Sequence, residues 1–214
     1  VRDIFSQITE ACGQFNITLC GGHTEITYGL DRPIVVAQML GQVRKDKLVT
    51  SSGAKVGDDI LLTKGIAVEA TSLIAREREE ILLQHGYSGE YIEKAKQFLK
   101  SPGISVLKEA IIANEIGGVH AMHDPTEGGL AMGLHEMAKC SQVGMTIWKD
   151  KIHIFPECES LCKEFDIDLM GVIASGALLI IADPSKSDGI INAISENKIP
   201  CSKIGNVVEK EKGL

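Results

Sequence analysis

The sequence predicts a protein of the α/β class, taken broadly enough to include α+β folds, with a mixed sheet covered by helices. Short segments rich in β-branched and aliphatic residues alternate along the chain with segments in which apolar residues recur at helical spacing. Polar stretches that contain glycine separate many of these segments, as turns do. Such interleaving is typical of a sheet that is packed against helices.

Seven segments are expected to be strands, and the last of them is expected to lie at an edge of the sheet. They are residues 17–19, 33–43, 60–63, 119–123, 145–154, 176–183 and 203–209. Helical periodicity begins at the start of the chain and returns between these strands. Four helices are expected at residues 4–15, 102–116, 124–139 and 185–197. Residues 68–100 are expected to form two helices separated by a break at 85–89, and a short helix is expected to begin at Pro156.

The composition excludes some classes of partner. The net charge of −7 argues against nucleic-acid binding, which needs a basic patch or stripe. No apolar run reaches the ~20 residues that span a bilayer, and the start of the chain does not resemble a signal peptide. Six cysteines without a C-x-x-C pair are typical of reduced thiols. We therefore expect a cytoplasmic protein without nucleic-acid or membrane partners.

The polar, glycine-containing stretch at 44–59 is the expected domain boundary. The chain starts at Val1 inside a helical pattern that no capping residue precedes. This start indicates a fragment from which upstream sequence was removed.

Glycine and polar residues coincide at the ends of several strands. Three such places are 21–25, 124–129 and 174–177, and a weaker one is 63–65. Glycine at a strand end often marks the close approach of another backbone or of a ligand, and glycine at a helix N-terminus lets amide groups face an anion. For each place taken alone, a bulge, a tight turn or helix–sheet packing is the favoured explanation.

The segment HDPTEGG at 123–129 reads as the start of a helix. Asp124 is expected to be the N-cap, Pro125 the first helical residue, and Glu127 the partner in a capping box. Gly128 and Gly129 would then lie in the first turn, where two glycines cost about 1–2 kcal/mol of helix propensity. That cost predicts a role for the pair beyond helix formation.

Several histidine and cysteine residues are candidates for binding a metal ion. His23 and Glu25 are two residues apart, so a strand would place them on one face, where they could hold a metal ion. His120 and His123 flank the entry to the Asp124 turn, and Cys158 and Cys162 would share a helix face as half of a zinc site. Neither of these two spacings matches a standard zinc motif, so structural roles are favoured there.

The motifs together resemble a known superfamily. HDPTEGGLAMGLHEMA at 123–138 resembles the DPT-x-GGLA…EIA segment of the hydrogenase maturation factor HypE, and GGHTEIT at 21–27 stands where the superfamily carries GGDT or GGET. SGALLI at 175–180 resembles its SGxLL segment, and IGNVVE at 204–209 its closing strand. The order and spacing also match. The chain is thus similar to HypE-like, AIR synthase-related proteins of the aminoimidazole ribonucleotide (AIR) synthetase superfamily, which includes selenophosphate synthetase and thiamine-monophosphate kinase.

The resemblance implies a domain organisation and an activity. Members bind ATP with Mg²⁺ and transfer the γ-phosphate to an oxygen; they are homodimers whose N-terminal domain holds ATP near the dimer interface. Residues 1–47 would be the last helix and strands of that domain, and 48–214 the C-terminal domain. The aspartates that bind ATP in the family would lie upstream, so the chain as it stands is expected to be inactive or nearly so.

The resemblance also implies roles for individual residues. Asp124, Thr126 and Glu127 are expected to be catalytic, and Glu25 with His23 is expected to hold the metal. A further set is expected to contact the nucleotide or its phosphates: Gly21, Gly22, Thr24, Gly128, Gly129, Ser175 and Gly176.

The sequence departs from the family in two places. His23 replaces the acidic residue of GG[DE]T, so Glu25 would have to supply the carboxylate. The chain ends in KEKGL without the terminal cysteine of HypE, which indicates either truncation or different chemistry.

Three functions follow. The first is ATP-dependent phosphoryl transfer that activates a carbonyl-type oxygen of a small or peptide-borne substrate, with hydrogenase maturation and a maturation partner protein as the expected setting. The second is a non-catalytic relative that acts as a dimeric scaffold or binding protein. The third is a small metal-dependent enzyme that uses His23, Glu25, His120 and His123.

Overall fold

A computed structural model describes residues 1–213, so Leu214 lies outside the described part of the chain. The chain divides into two compact units, Val1–Gln42 and Val43–Leu214. Each unit is described by itself below.

The first unit contains one helix, α1 (Arg2–Gln14), which buries none of its residues and has no side-chain cap. Residues 17–42 form neither helix nor strand, and apolar side chains such as Ile26, Tyr28 and Val36 are almost fully exposed. The strands expected at 17–19 and 33–43 are therefore wrong for this structure. A strand depends on hydrogen bonds and packing from a neighbouring strand, and these residues pair with no strand in the described chain.

The second unit is built on one five-stranded sheet, which confirms the predicted fold class. Its strands are β1 (Asp59–Thr63), β2 (Val119–His123), β3 (Gly144–Ile147), β4 (Leu179–Ala182) and β5 (Cys201–Val208). The spatial order is β2-β4-β1-β5-β3, and every neighbouring pair is antiparallel rather than mixed. The edge strands are β2 and β3, so the expectation that the last strand lies at an edge is wrong.

Seven helices belong to the part of this unit that the structure describes. They are α2 (Val68–Glu77), α3 (Glu79–Gln84), α4 (Gly89–Lys96), α5 (Leu107–Ile116), α6 (Gly129–Ser141), α7 (Pro156–Glu164) and α8 (Pro184–Glu196). Proline at the first helical position opens α7 and α8, as proline does where its missing N–H costs nothing. Short 3₁₀ turns at Lys45–Lys47, Gln97–Leu99, Lys149–Lys151 and Lys210–Lys212 complete the described elements.

Alternate residues of β1 point to opposite faces of the sheet, and both faces are covered. Ile60 and Leu62 pack with α6 residues in one core cluster, whereas Leu61 packs with residues of α5 and α8 in another. A third cluster joins α2, α4 and α7 beside the sheet. Because all five residues of β1 are buried, this strand lies at the centre of the unit, as its short apolar run predicts.

Among residues 1–213, no helix has both the length and the apolar character that a membrane crossing requires.

Candidate functional site

The HDPTEGG segment does not begin a helix at Asp124. Helix α6 begins at Gly129, its N-cap is Gly128, and no side chain caps it. Residues 124–126 are irregular, and Glu127 and Gly128 form a turn. The capping-box prediction is therefore wrong, because the two glycines bend the chain before the helix can start.

Backbone geometry explains the glycine pair. Gly128 and Gly129 have φ angles of +75° and +62°, a region that residues with a Cβ atom rarely occupy. A Cβ atom at Gly129 would also lie 2.5 Å from the carbonyl oxygens of Met170 and Val172. The close approach inferred from the sequence is therefore real, and the approaching backbone is that of residues 170–172.

The first amides of α6 already have partners. The N–H of Gly129 donates to the carbonyl of Thr126 at 3.1 Å, and that of Ala131 donates to the carbonyl of Met170 at 2.9 Å. The first bond closes the turn, and the second joins the start of α6 to the loop that follows α7.

Three of the four glycine-containing places meet in the second unit. The N–H of Ala174 donates to the carbonyl of Thr126 at 3.2 Å, so the 174–177 loop lies against the 124–129 turn. The carbonyl of Gly176 in turn accepts from Nζ of Lys64 at 3.1 Å. Hydrogen bonds thus join the end of β1, the turn after β2 and the loop before β4.

A buried ion pair stabilises this hydrogen-bonded region. Nζ of Lys64 lies 2.5 Å from Oε1 of Glu109, and these side chains are only 4% and 1% exposed. The same ammonium donates to the carbonyl of Ser105 at 2.6 Å. The sequence pattern does not indicate Glu109, because a glutamate within a helical pattern normally indicates a solvated face. The signal that could have found it is Lys64, a charged residue directly after a short strand whose residues are all buried.

The candidate catalytic residues of the 124–129 turn differ in their exposure to solvent. Pro125 is buried and Thr126 is half-buried, whereas the side chain of Asp124 is 68% exposed and Glu127 is also exposed. Two carboxylates therefore project from a backbone that hydrogen bonds hold in place. Carboxylate oxygens are the protein ligands that Mg²⁺ prefers.

His123 stands at the end of β2, directly before this turn. Its Nε2 atom lies 2.8 Å from Oε2 of Glu136 on α6, and its Nδ1 atom lies 3.9 Å from Oδ1 of Asp124. The sequence does not indicate this contact, because Glu136 is thirteen residues away and its approach depends on the packing of α6.

The first unit carries the remaining predicted site residues. Gly21, Gly22 and Thr24 are exposed, and a Cβ atom at either glycine would meet nothing within 4 Å. Nε2 of His23 lies 3.9 Å from Oε2 of Glu25, and these side chains are 84% and 73% exposed. Both side chains are open to solvent, and no strand is present here to place them on one face, although one was expected.

The described residues do not support the other metal sites. They contain no cluster of three or more histidine, cysteine, aspartate or glutamate residues suited to a metal ion. Nδ1 of His120 lies 2.9 Å from Oδ2 of Asp58, and its Nε2 lies 3.3 Å from Nζ of Lys55, so both ring nitrogens have protein partners. Cys158 and Cys162 lie in the core, where burial raises the pKa of these thiols to about 12 and about 11. Both thiols pack in an apolar cluster, as structural cysteines do.

Comparison with known proteins identifies the family. Residues 55–213 match the model of the AIR synthase-related protein C-terminal domain, which is most of the chain. The protein therefore belongs to the AIR synthase-related family, as its motifs indicated.

Two curated relatives come from Methanocaldococcus jannaschii. One, whose name places it in hydrogenase expression and formation, is 26% identical over 216 residues, covering 100% of this chain and 61% of the relative. The other is a selenide, water dikinase, 28% identical over 221 residues, covering 100% of this chain and 62% of the relative. The chain thus spans about three fifths of the length of these relatives.

A solved structure of the hydrogenase maturation protein HypE in complex with ATP shares the fold. The TM-score is 0.58 at 21% sequence identity, over 81% of this chain and 49% of that one.

Proposed function

We propose that the protein takes part in ATP-dependent phosphoryl transfer that activates a carbonyl-type oxygen of a small or peptide-borne substrate. The observation that carries this proposal is the pair of exposed carboxylates, Asp124 and Glu127, on a turn that hydrogen bonds join to the 174–177 loop. Phosphoryl transfer depends on positioning and charge neutralisation more than on covalent catalysis. Exposed carboxylates on a fixed backbone suit that requirement. The similarity to an ATP-bound HypE structure and to a dikinase supports the same reaction class.

The residues of the second unit have distinct proposed roles. Asp124 and Glu127 hold Mg²⁺ or orient the attacking group, and Thr126 contacts the transferred phosphoryl group. Four residues form the adjoining wall: Gly128, Gly129, Ser175 and Gly176. When bound, Mg²⁺ would supply charge neutralisation for the phosphates.

The motif of the first unit is proposed to contact ATP. Gly21, Gly22 and Thr24 offer exposed backbone and hydroxyl groups to ATP, and Glu25 offers the carboxylate that Mg²⁺ requires. His23 is the weaker ligand for Mg²⁺, which prefers oxygen. We further propose that residues 1–47 belong to an ATP-binding and dimerisation domain and 48–214 to a C-terminal domain, in a cytoplasmic homodimer that serves hydrogenase maturation with a partner protein.

Replacement of Asp124 tests the proposal. Asp124→Ala should lower ATP-dependent product formation by about 10²–10³-fold, the usual cost of one positioned electrostatic group. Since the side chain is exposed and caps no helix, the free energy of unfolding should change by no more than about 0.5 kcal/mol. Rates of ADP formation in the protein expressed from its complete reading frame give the first quantity, and urea unfolding gives the second.

Asp188→Ala is the matched control, because Asp188 is an exposed carboxylate on α8. It should leave the rate unchanged. Wild-type turnover in Asp124→Ala would show that the aspartate has no catalytic role.

One observation favours a second function, that of a non-catalytic dimeric scaffold or binding protein. His23 stands where the superfamily motif has an acidic residue, which removes an oxygen ligand for Mg²⁺. On this alternative the protein forms no ADP with any acceptor, whereas a His23→Asp variant, which restores an oxygen ligand, should gain Mg²⁺ binding.

A further inference from the structure

A small apolar pocket lies where the sheet core meets the cluster formed by α2, α4 and α7. Its volume is about 190 Å³, and two of its lining residues, Ile154 and Leu169, pack against both of these core clusters. An apolar cavity of about 150 Å³ is large enough to hold benzene. The pocket therefore has room for one branched aliphatic or aromatic group.

Aliphatic side chains form the walls of the pocket. They belong to Ile66, Ile152, Ile154, Ile167, Leu169 and Met170. Ile66 and Ile152 are buried, whereas the other four are only half-buried. Half-buried aliphatic groups leave apolar surface in contact with water, and covering that surface is favourable. A ligand that places an apolar group in the pocket therefore gains free energy from its burial.

Two opposite charges complete the lining. Lys149 lies on the 3₁₀ turn after β3, Asp168 lies in the loop after α7, and both are exposed. None of the ion pairs within residues 1–213 joins the two side chains. Oδ1 of Asp168 accepts from the N–H of Met170 at 3.0 Å, which holds the carboxylate in place. An ammonium and a carboxylate beside one apolar pocket match the two charges and the side chain of an α-amino acid.

We propose that this pocket binds a free α-amino acid with a branched aliphatic or aromatic side chain, and that binding restrains the loop at 170–172. Lys149 contacts the α-carboxylate, Asp168 accepts from the α-ammonium, and the aliphatic walls surround the side chain. Both charges are needed for selectivity, because Lys149 repels an apolar amine and Asp168 repels an apolar carboxylic acid. The site uses none of the residues proposed to contact ATP or Mg²⁺, so it does not depend on the proposed function.

The pocket and the start of α6 share one loop. Met170 lines the pocket, and its carbonyl accepts from the N–H of Ala131 in the first turn of α6 at 2.9 Å. The carbonyls of Met170 and Val172 also occupy the space that a Cβ atom at Gly129 would need. A ligand packed against Met170 therefore restrains the acceptor of the Ala131 N–H, and local opening of that hydrogen bond becomes rarer.

Ligands that differ by one charge test the recognition. Titration calorimetry on the protein expressed from its complete reading frame, without nucleotide or Mg²⁺, should show saturable binding of L-leucine or L-phenylalanine. The corresponding acid without the ammonium, and the corresponding amine without the carboxylate, should each bind about tenfold or more weakly, since a hydrogen bond to a charged group is usually worth that factor. Equal binding of the amino acid and both analogues, or no binding of either amino acid at millimolar concentration, would overturn the proposal.

Charge variants test the two residues at the pocket. Lys149→Ala and Asp168→Asn should each weaken amino-acid binding by about tenfold or more, and asparagine keeps an oxygen that accepts from the N–H of Met170. Lys151→Ala and Asp166→Asn are the matched controls, because they replace exposed charges that do not line the pocket. The controls should bind as the wild type does. Wild-type affinity in both Lys149→Ala and Asp168→Asn would overturn the proposal.

Nuclear magnetic resonance tests the location and the effect on the loop. In protein with labelled isoleucine methyl groups, the bound amino acid should shift the signals of Ile152, Ile154 and Ile167, and it should leave that of Ile190 on α8 unchanged. At saturation, hydrogen exchange of the Ala131 amide should slow by about threefold or more. Shifts confined to isoleucines outside the pocket would overturn the assigned site, and unchanged exchange at Ala131 would overturn the restraint on the loop.

Discussion

Gly129 shows how one residue serves the fold and the site together. Its positive φ turns the chain from β2 into α6, and its missing Cβ admits the carbonyls of Met170 and Val172. The same turn leaves Asp124 exposed. The sequence indicated that Gly128 and Gly129 were costly in a helix; the structure shows that they precede it and form the turn.

Gly129→Ala should be strongly destabilising. An L-residue at this φ costs roughly 1–2 kcal/mol, and the Cβ atom would clash with backbone rather than with a flexible side chain. Urea unfolding should show a loss of about 2–4 kcal/mol in the free energy of unfolding.

Gly89→Ala is the control, because Gly89 starts α4 and a Cβ atom there would meet nothing within 4 Å. It should change stability by about 1 kcal/mol or less. Equal effects of the two substitutions would refute the steric account of Gly129.

At the scale of elements, Lys64 and Glu109 join parts of the chain that are far apart in sequence. Lys64 follows β1, Glu109 belongs to α5, and the carbonyl of Gly176 precedes β4. Thr63 adds a further link, since its Oγ1 accepts from the N–H of Leu178 at 3.1 Å. These contacts fix the 174–177 loop, in which the N–H of Ala174 donates to the carbonyl of Thr126 in the 124–129 turn.

Removing one member of this pair should cost far more than replacing both. Lys64→Met would leave Glu109 buried without its cation and should cost about 3–5 kcal/mol of unfolding free energy. The double variant Lys64→Met/Glu109→Leu should recover a substantial part of that loss, since no charge is then buried. Chemical denaturation of both variants supplies the comparison. A double variant less stable than Lys64→Met would contradict this account.

Local sequence signals predict many of these elements well. The β1 strand was evident from its apolar run, α7 from Pro156, and the end of α5 from Gly117, which has a φ of +80°. They failed at the start of α6, where Asp124, Pro125 and Glu127 satisfy a capping pattern but tertiary contacts with the 170–172 loop displace the helix start to Gly129.

At the scale of the whole molecule, strand pairing is what the sequence does not reveal. No two strands that are consecutive in the chain are neighbours in the order β2-β4-β1-β5-β3, so every connection crosses over another strand. Alternation and turn signals specify elements, whereas pairing depends on contacts between distant residues. For the same reason the Lys64–Glu109 and His123–Glu136 contacts were not predicted. The sequence did single out the three glycine-containing places that meet in the second unit, 63–65, 124–129 and 174–177.

Magnesium-dependent ATP binding tests the central claim most directly. Titration calorimetry should be carried out on the protein expressed from its complete reading frame, with and without Mg²⁺, and on Asp124→Ala with Asp188→Ala as the control. The account predicts saturable heat with ATP and Mg²⁺ in the wild type and the control, and weaker binding without Mg²⁺ and in Asp124→Ala. The absence of heat at millimolar nucleotide, with Mg²⁺ present, would contradict it.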